Sequence, residues 1–144
     1  MERNELTLCK EVLERFPEIR RASEGHEDNP TVLLHEVVHW LSMAQVSSSD
    51  ESRVIAFMEW SQSQPRGTTV HDDIVTMVTT SFYEGLFDHE HTRRLIPKLV
   101  SKADLVEGAE YLQQWVGEEN YQKALALFDG PRGPNKSLER TREG

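Results

Sequence analysis

Cysteine is almost absent from this 144-residue chain: Cys9 stands alone, so no disulfide can form within it. It falls in register with the apolar positions of its segment, the place of a buried structural thiol rather than a nucleophile. No apolar run approaches the ~20 residues that a membrane span needs. Residues 1–30 also lack the apolar core of a secretory leader, so a cytoplasmic protein is expected. No glycine-rich phosphate loop, nucleophile elbow or cofactor fingerprint is present. Bases are scarce too. The net charge is −9, and residues 1–129 carry 12 basic against 23 acidic side chains, a net of −11. A body that negative repels phosphate backbones and anionic membranes, and it attracts a basic partner.

What the chain has is helical periodicity, in a length sufficient for one core. Leu6, Cys9, Leu13 and Phe16 predict a first helix from about Asn4 that stops before Pro17. Residues 17–28 are mostly polar. Asn29-Pro30 then reads as an N-cap followed by proline in the first turn. The second helix carries Leu33, Leu34, Val37, Val38, Leu41 and Ala44 on one side and reaches about Gln45. Ser48 with Glu51 suggests a capping box for a third helix, ending before Pro65-Arg66-Gly67. Thr69 with Asp72 suggests a similar start for a fourth, with Val70, Ile74, Met77, Val78, Ser81, Phe82 and Leu86 in register. Its β-branched residues make it the one place where a strand competes.

Asp88 is placed as the cap of a fifth helix that Pro97 breaks, and a short turn with Leu99 and Val100 follows. A sixth helix runs from Asp104 through Leu105, Ala109, Leu112 and Val116 to Gly117, and a seventh opens with Glu118 and Glu119. The expected fold is all-α, a compact single-domain bundle of about six to seven helices over residues 1–129. Residues 130–144, with four bases and one aliphatic side chain, are expected to form a disordered charged tail.

One string has a specific chemistry attached. His35-Glu36-Val37-Val38-His39 places two imidazoles one helical turn apart, the pattern that holds zinc in metalloproteases. It resembles the glutamate-type zincins. That resemblance implies His35, His39 and Glu59 as zinc ligands, with Glu36 as general base. The chain departs from the pattern where Ser63 stands four residues past Glu59, and no glycine and third histidine follow His39. At ~100° per residue the two histidines lie opposite the Leu33/Leu34/Val37/Val38/Leu41 stripe, on the polar face of an amphipathic helix. Residues 1–29 offer no strand against which a substrate peptide would align. The string therefore reads as incidental, and zinc hydrolysis stands as the alternative.

Other candidate chemistry is sparse. His89 and His91 in Asp88-His89-Glu90-His91 diverge on a helix, and Arg93, Arg94, Lys98 and Lys102 fit an exposed helix face. Acidic residues dominate instead. Asp72 and Asp73 fall at one helix start, and Glu84, Asp88 and Glu90 cluster at a helix end. Trp60, Tyr83 and Phe87 fall off the expected core stripes and are candidate anchors. These eight residues form the expected partner-binding set.

Phe16-Pro17-Glu18, Ser81-Phe82-Tyr83-Glu84-Gly85-Leu86 and Leu95-Ile96-Pro97 resemble a family of small bacterial helical domains of uncharacterised function. Such domains are similar to immunity proteins, which bind and neutralise a toxin made by the same cell. The resemblance spans about residues 5–128 and carries no functional residues. It implies a non-enzymatic protein that needs no cofactor and meets a toxin with a basic surface.

Overall fold

The computed structural model of the protein describes residues 3–43 and 45–129, and the expected disordered tail lies outside them. The described residues are all-α and contain no strand. Helix α1, Arg3–Arg15, buries Leu8, Cys9 and Val12. A 3-10 turn at Pro17–Ile19 follows. Helix α2, Pro30–Met43, buries Leu33, Leu34, Val37, Val38 and Leu41, the stripe that its periodicity predicts. The Asn29 side chain accepts a 3.2 Å hydrogen bond from Val32 N, as an N-cap should.

Helix α3, Ser48–Gln62, starts one residue earlier than its capping signature suggests. The reciprocal box is Ser47 with Asp50, not Ser48 with Glu51. Several hydroxyls and acids stand in a row here, and only the folded backbone selects the pair that closes.

The fourth predicted helix survives with changes of pitch. Val70–Asp72 forms a 3-10 turn, and α4 is Ile74–Val78, capped by Asp73 rather than by Thr69. A π-helical turn at Thr79–Tyr83 and a 3-10 segment at Glu84–Asp88 continue it. Thr79 and Thr80 donate their hydroxyls to the carbonyls of Val75 and Thr76, a back-bonding that bends helices. The β-branched run therefore stays helical, but not regular. Val70, expected in the core, is exposed.

The fifth and sixth predicted helices each divide. α5 is Glu90–Arg93 and α6 is Ile96–Leu99, with Pro97 inside the first turn of α6, where its missing N–H costs nothing. Ser101 caps α7, Lys102–Glu107, in place of the expected Asp104, whose N–H it accepts. Gly108 separates α7 from α8, Ala109–Val116. Gly117, at φ +92°, turns the chain into α9, Glu118–Ala126, and a 3-10 turn at Leu127–Asp129 ends the described chain.

The core centres on edge-to-face rings. Phe57 meets Phe16 at 5.6 Å and Phe82 at 5.4 Å between centroids. Cys9 is buried as expected, and burial, with the Asp28 and Glu5 carboxylates adding, pushes its thiol up to about 11. Tyr121 is buried and donates its hydroxyl to the Leu105 carbonyl at 3.0 Å. One close approach sets the spacing around α2. Gly85 packs on Val38, where even a Cβ would meet a Val38 methyl at 3.4 Å. A side chain larger than alanine at Gly85 has to push α2 outward.

Asp72 and Asp73, both in the expected partner-binding set, hold hydrogen bonds within the fold. Asp72 accepts from Asn4 N at 3.0 Å and caps the first turn of α1 from across the molecule. Asp73 is buried and accepts from Arg66 Nε and Nη2, Gly67 N, Thr76 N and Thr76 Oγ1. Gly67 is required in this loop, because a Cβ there would fall 1.8 Å from the Asp72 carbonyl oxygen. The Arg66 guanidinium, aided by these other donors, holds the Asp73 carboxyl far below the usual carboxylate range. Its stabilisation is therefore complete above about pH 5 and is lost as pH falls through the lowered native value. D73N should cost about 2–4 kcal/mol at pH 7 in urea unfolding, with the gap to wild type closing below about pH 4.

Candidate functional site

Two of the concave surfaces along the segment from Thr79 to Asp88 are lined by its charged and aromatic side chains. The larger, about 610 Å³, is walled by Ile55, Met58 and Glu59 of α3, by Tyr83, and by Lys98, Leu99 and Val100. Its interior is apolar and its rim carries both signs of charge. Burial, with the Asp104 and Glu84 carboxylates adding, pushes the Tyr83 phenol up to about 12, so it stays neutral.

The smaller cleft, about 310 Å³, lies between α2, the Thr80–Asp88 stretch and α8. Val38 and Gly85, which pack on each other, both line it. His35, about one turn before Val38, and His39, the residue after it, also line the cleft. The opposite wall supplies Glu84, Asp88 and His89, and Trp115 closes the side. No lysine or arginine is among these lining residues.

Helix α8 delivers the aromatic wall by simple periodicity. Leu112 and Val116 turn inward, so Tyr111 and Trp115, each one position earlier, share the neighbouring outward stripe. Trp115 is 62% exposed and Tyr111 48% exposed, and their ring centroids lie 6.1 Å apart. Large aromatic surface left in water on this scale marks a contact site more often than a folding need. The Tyr111 hydroxyl donates to Glu84 Oε2 at 2.7 Å. Burial raises the Glu84 carboxyl above its ordinary value, and the Tyr111 hydrogen bond offsets only part of that rise. Asp88 is exposed, touched by Asn120 Nδ2 at 3.4 Å, and Arg93 braces Asn120 from behind at 3.2 Å.

The structure scatters the expected partner-binding set. Glu84 and Asp88 meet in the cleft. Glu90 is exposed and pairs with Arg94 one turn on, at 3.0 Å. Phe87 is fully buried in the core, so it is not available as an anchor. It lies beside Leu86, and both are buried, as the adjacent pairs Leu33/Leu34 and Val37/Val38 of α2 are. Trp60 is half-buried, stacked on Phe57 at 6.0 Å with the Arg15 guanidinium over its face. Tyr83 is half-buried too, edge-on to Phe87, and belongs to the larger groove. Tyr111 and Trp115 were missed, although their i, i+4 spacing off the Leu112/Val116 stripe signals them.

The zincin ligand set is divided. His35 and His39 are exposed and line the smaller cleft, whereas Glu59 lines the larger groove. The expected bridge from α2 to the following helix is therefore not built. Among the described residues, no three His, Cys, Asp or Glu side chains are grouped to hold one metal ion. The histidines face outward, as helix periodicity suggests, and they line a cleft shared with two carboxylates. Comparison with protein-family models, with curated proteins and with solved structures gave no match.

The Tyr111–Glu84 contact makes a direct prediction. Tyr111→Phe removes a donor that favours the charged carboxylate, so the Glu84 pKa should rise further in a carbon-13 NMR titration. An unchanged or lowered value contradicts the placement of α8 on Glu84.

Proposed function

We propose that the protein is a non-enzymatic binding domain of the immunity type, which neutralises a toxin by covering a basic surface of it. The observation that carries this reading is the exposed Tyr111–Trp115 pair beside Glu84 and Asp88, on a strongly acidic body. Tyrosine and tryptophan are the side chains that most often dominate the energy of a protein interface, and they do so when ringed by polar groups. Carboxylates around them steer a basic partner and reject an acidic one. Much of the acidic inventory is committed internally: Asp72 and Asp73 to caps, and Glu18 and Asp50 to Arg53. Glu84 and Asp88 belong to a surface that has an aromatic centre. Neither role needs a metal or a covalent step.

The reading is tested in its biological setting. A toxin gene should neighbour the gene for this protein, and co-expression should restore growth and give a stoichiometric complex. Trp115→Ala should weaken that complex about tenfold or more while leaving the melting temperature unchanged. Asp88→Lys should slow association most at low ionic strength, since a rim charge acts on the encounter rate. A neighbourhood without a toxin, or a toxin whose activity persists in excess of this protein, overturns the proposal.

A further inference from the structure

The cleft's own chemistry narrows what enters it. We infer that the cleft between α2, the Thr80–Asp88 stretch and α8 seats one arginine side chain of the partner, its guanidinium against Trp115 and opposite Glu84 and Asp88. This rests on the reading of the protein as a binder of a basic partner, and it names the group that is bound.

Four observations converge. The first is size: about 310 Å³ accommodates one long side chain but not a helix or a folded segment. The second is an electrostatic deficit. Glu84 is half-buried and desolvated, and the partner it has, the Tyr111 hydroxyl, is neutral, so the carboxylate charge is only partly compensated. An incoming cation supplies what the hydroxyl does not.

The third observation is the surface of Trp115, which is exposed at the mouth of the same cleft. A tryptophan face attracts a cation, and a planar guanidinium stacks on it with little dehydration cost, unlike a strongly hydrated ammonium. The fourth is the number of acceptors. The two carboxylates, Glu84 and Asp88, present more acceptor sites than an ammonium with three N–H groups can satisfy. A guanidinium carries five in a fixed fork. Among the described residues that line the cleft there is no lysine or arginine to occupy the position.

The probe is a set of capped tripeptides, glycine–X–glycine amide, with X arginine, lysine or citrulline, titrated into nitrogen-15-labelled protein. The arginine peptide should shift the Trp115 indole N–H and the His39 ring signals, and bind at least about fivefold tighter than the lysine peptide. Citrulline, equal in shape but uncharged, should leave the signals in place. Glu84→Gln and Trp115→Ala should each weaken the arginine peptide about tenfold, and Asp88→Asn, at an exposed position, supplies a variant whose folding is not in question. Equal response to lysine and arginine, or no loss on Glu84→Gln with the fold intact, overturns the inference. So does stoichiometric zinc held by His35 and His39 that blocks the peptide, since the cleft is then a metal site. Failures of the two readings are separable. Protection against a toxin without any response to arginine peptides removes only the occupant, whereas arginine binding without protection removes only the immunity role.

Discussion

The contact between Gly85 and Val38 governs the architecture around the cleft. Position 85 leaves room for little more than a methyl group, since a Cβ there would already lie 3.4 Å from a Val38 methyl. His35 and His39 of α2 line one cleft with Glu84, Asp88 and His89, and Trp115 of α8 joins them. The irregular pitch through Thr79–Asp88 belongs to the same arrangement. It turns Phe82, Leu86 and Phe87 inward and leaves Tyr83, Glu84 and Asp88 to line the two concave surfaces on either side.

The acidic character of the chain divides into two populations with different physics. One is structural. Asp73 gathers five donors in a buried loop, Asp72 caps α1, and Glu18 with Asp50 clasps Arg53, whose guanidinium also stacks over Phe16 and Trp40. The Arg53 hydrogen bonds hold the Glu18 carboxyl below its ordinary value. Such groups stabilise the native state through geometry and contribute little to the field that a distant partner feels. The other population surrounds an aromatic patch, where desolvation has raised a carboxylate rather than satisfied it. A protein that steers by charge needs the second kind, and net charge alone does not distinguish them.

The all-α fold was legible because apolar residues recur at three and four over almost the whole chain. Helix α2 is read nearly residue by residue, since its stripe is uninterrupted and Asn29-Pro30 fixes its start. Boundaries were less legible where several capping residues adjoin. Ser47 prevailed over Ser48, Asp73 over Thr69 and Ser101 over Asp104, in each case through the backbone geometry that folding selects. Pitch was not legible at all: Phe87 looks outward on a uniform helix and is buried on the real one. At the site, Glu84 and Asp88 were found from charge, and the histidines from their motif. Their meeting was not legible, because it depends on how α2 packs against a segment about 45 residues later in the chain. Tyr111 and Trp115 lie off the Leu112/Val116 stripe that marks the buried face of α8, and periodicity alone does not distinguish an exposed aromatic pair from one covered by a neighbouring element.

The most direct test of this account is a methyl nuclear Overhauser measurement on the full chain in solution. The account predicts strong cross-peaks between the Val38 γ-methyl protons and the Gly85 α protons, as their close packing requires. A spectrum in which Val38 is assigned and rigid but shows no transfer to Gly85 would mean that α2 stands away from the 3-10 segment. The cleft, and the convergence of imidazoles and carboxylates within it, would then not exist.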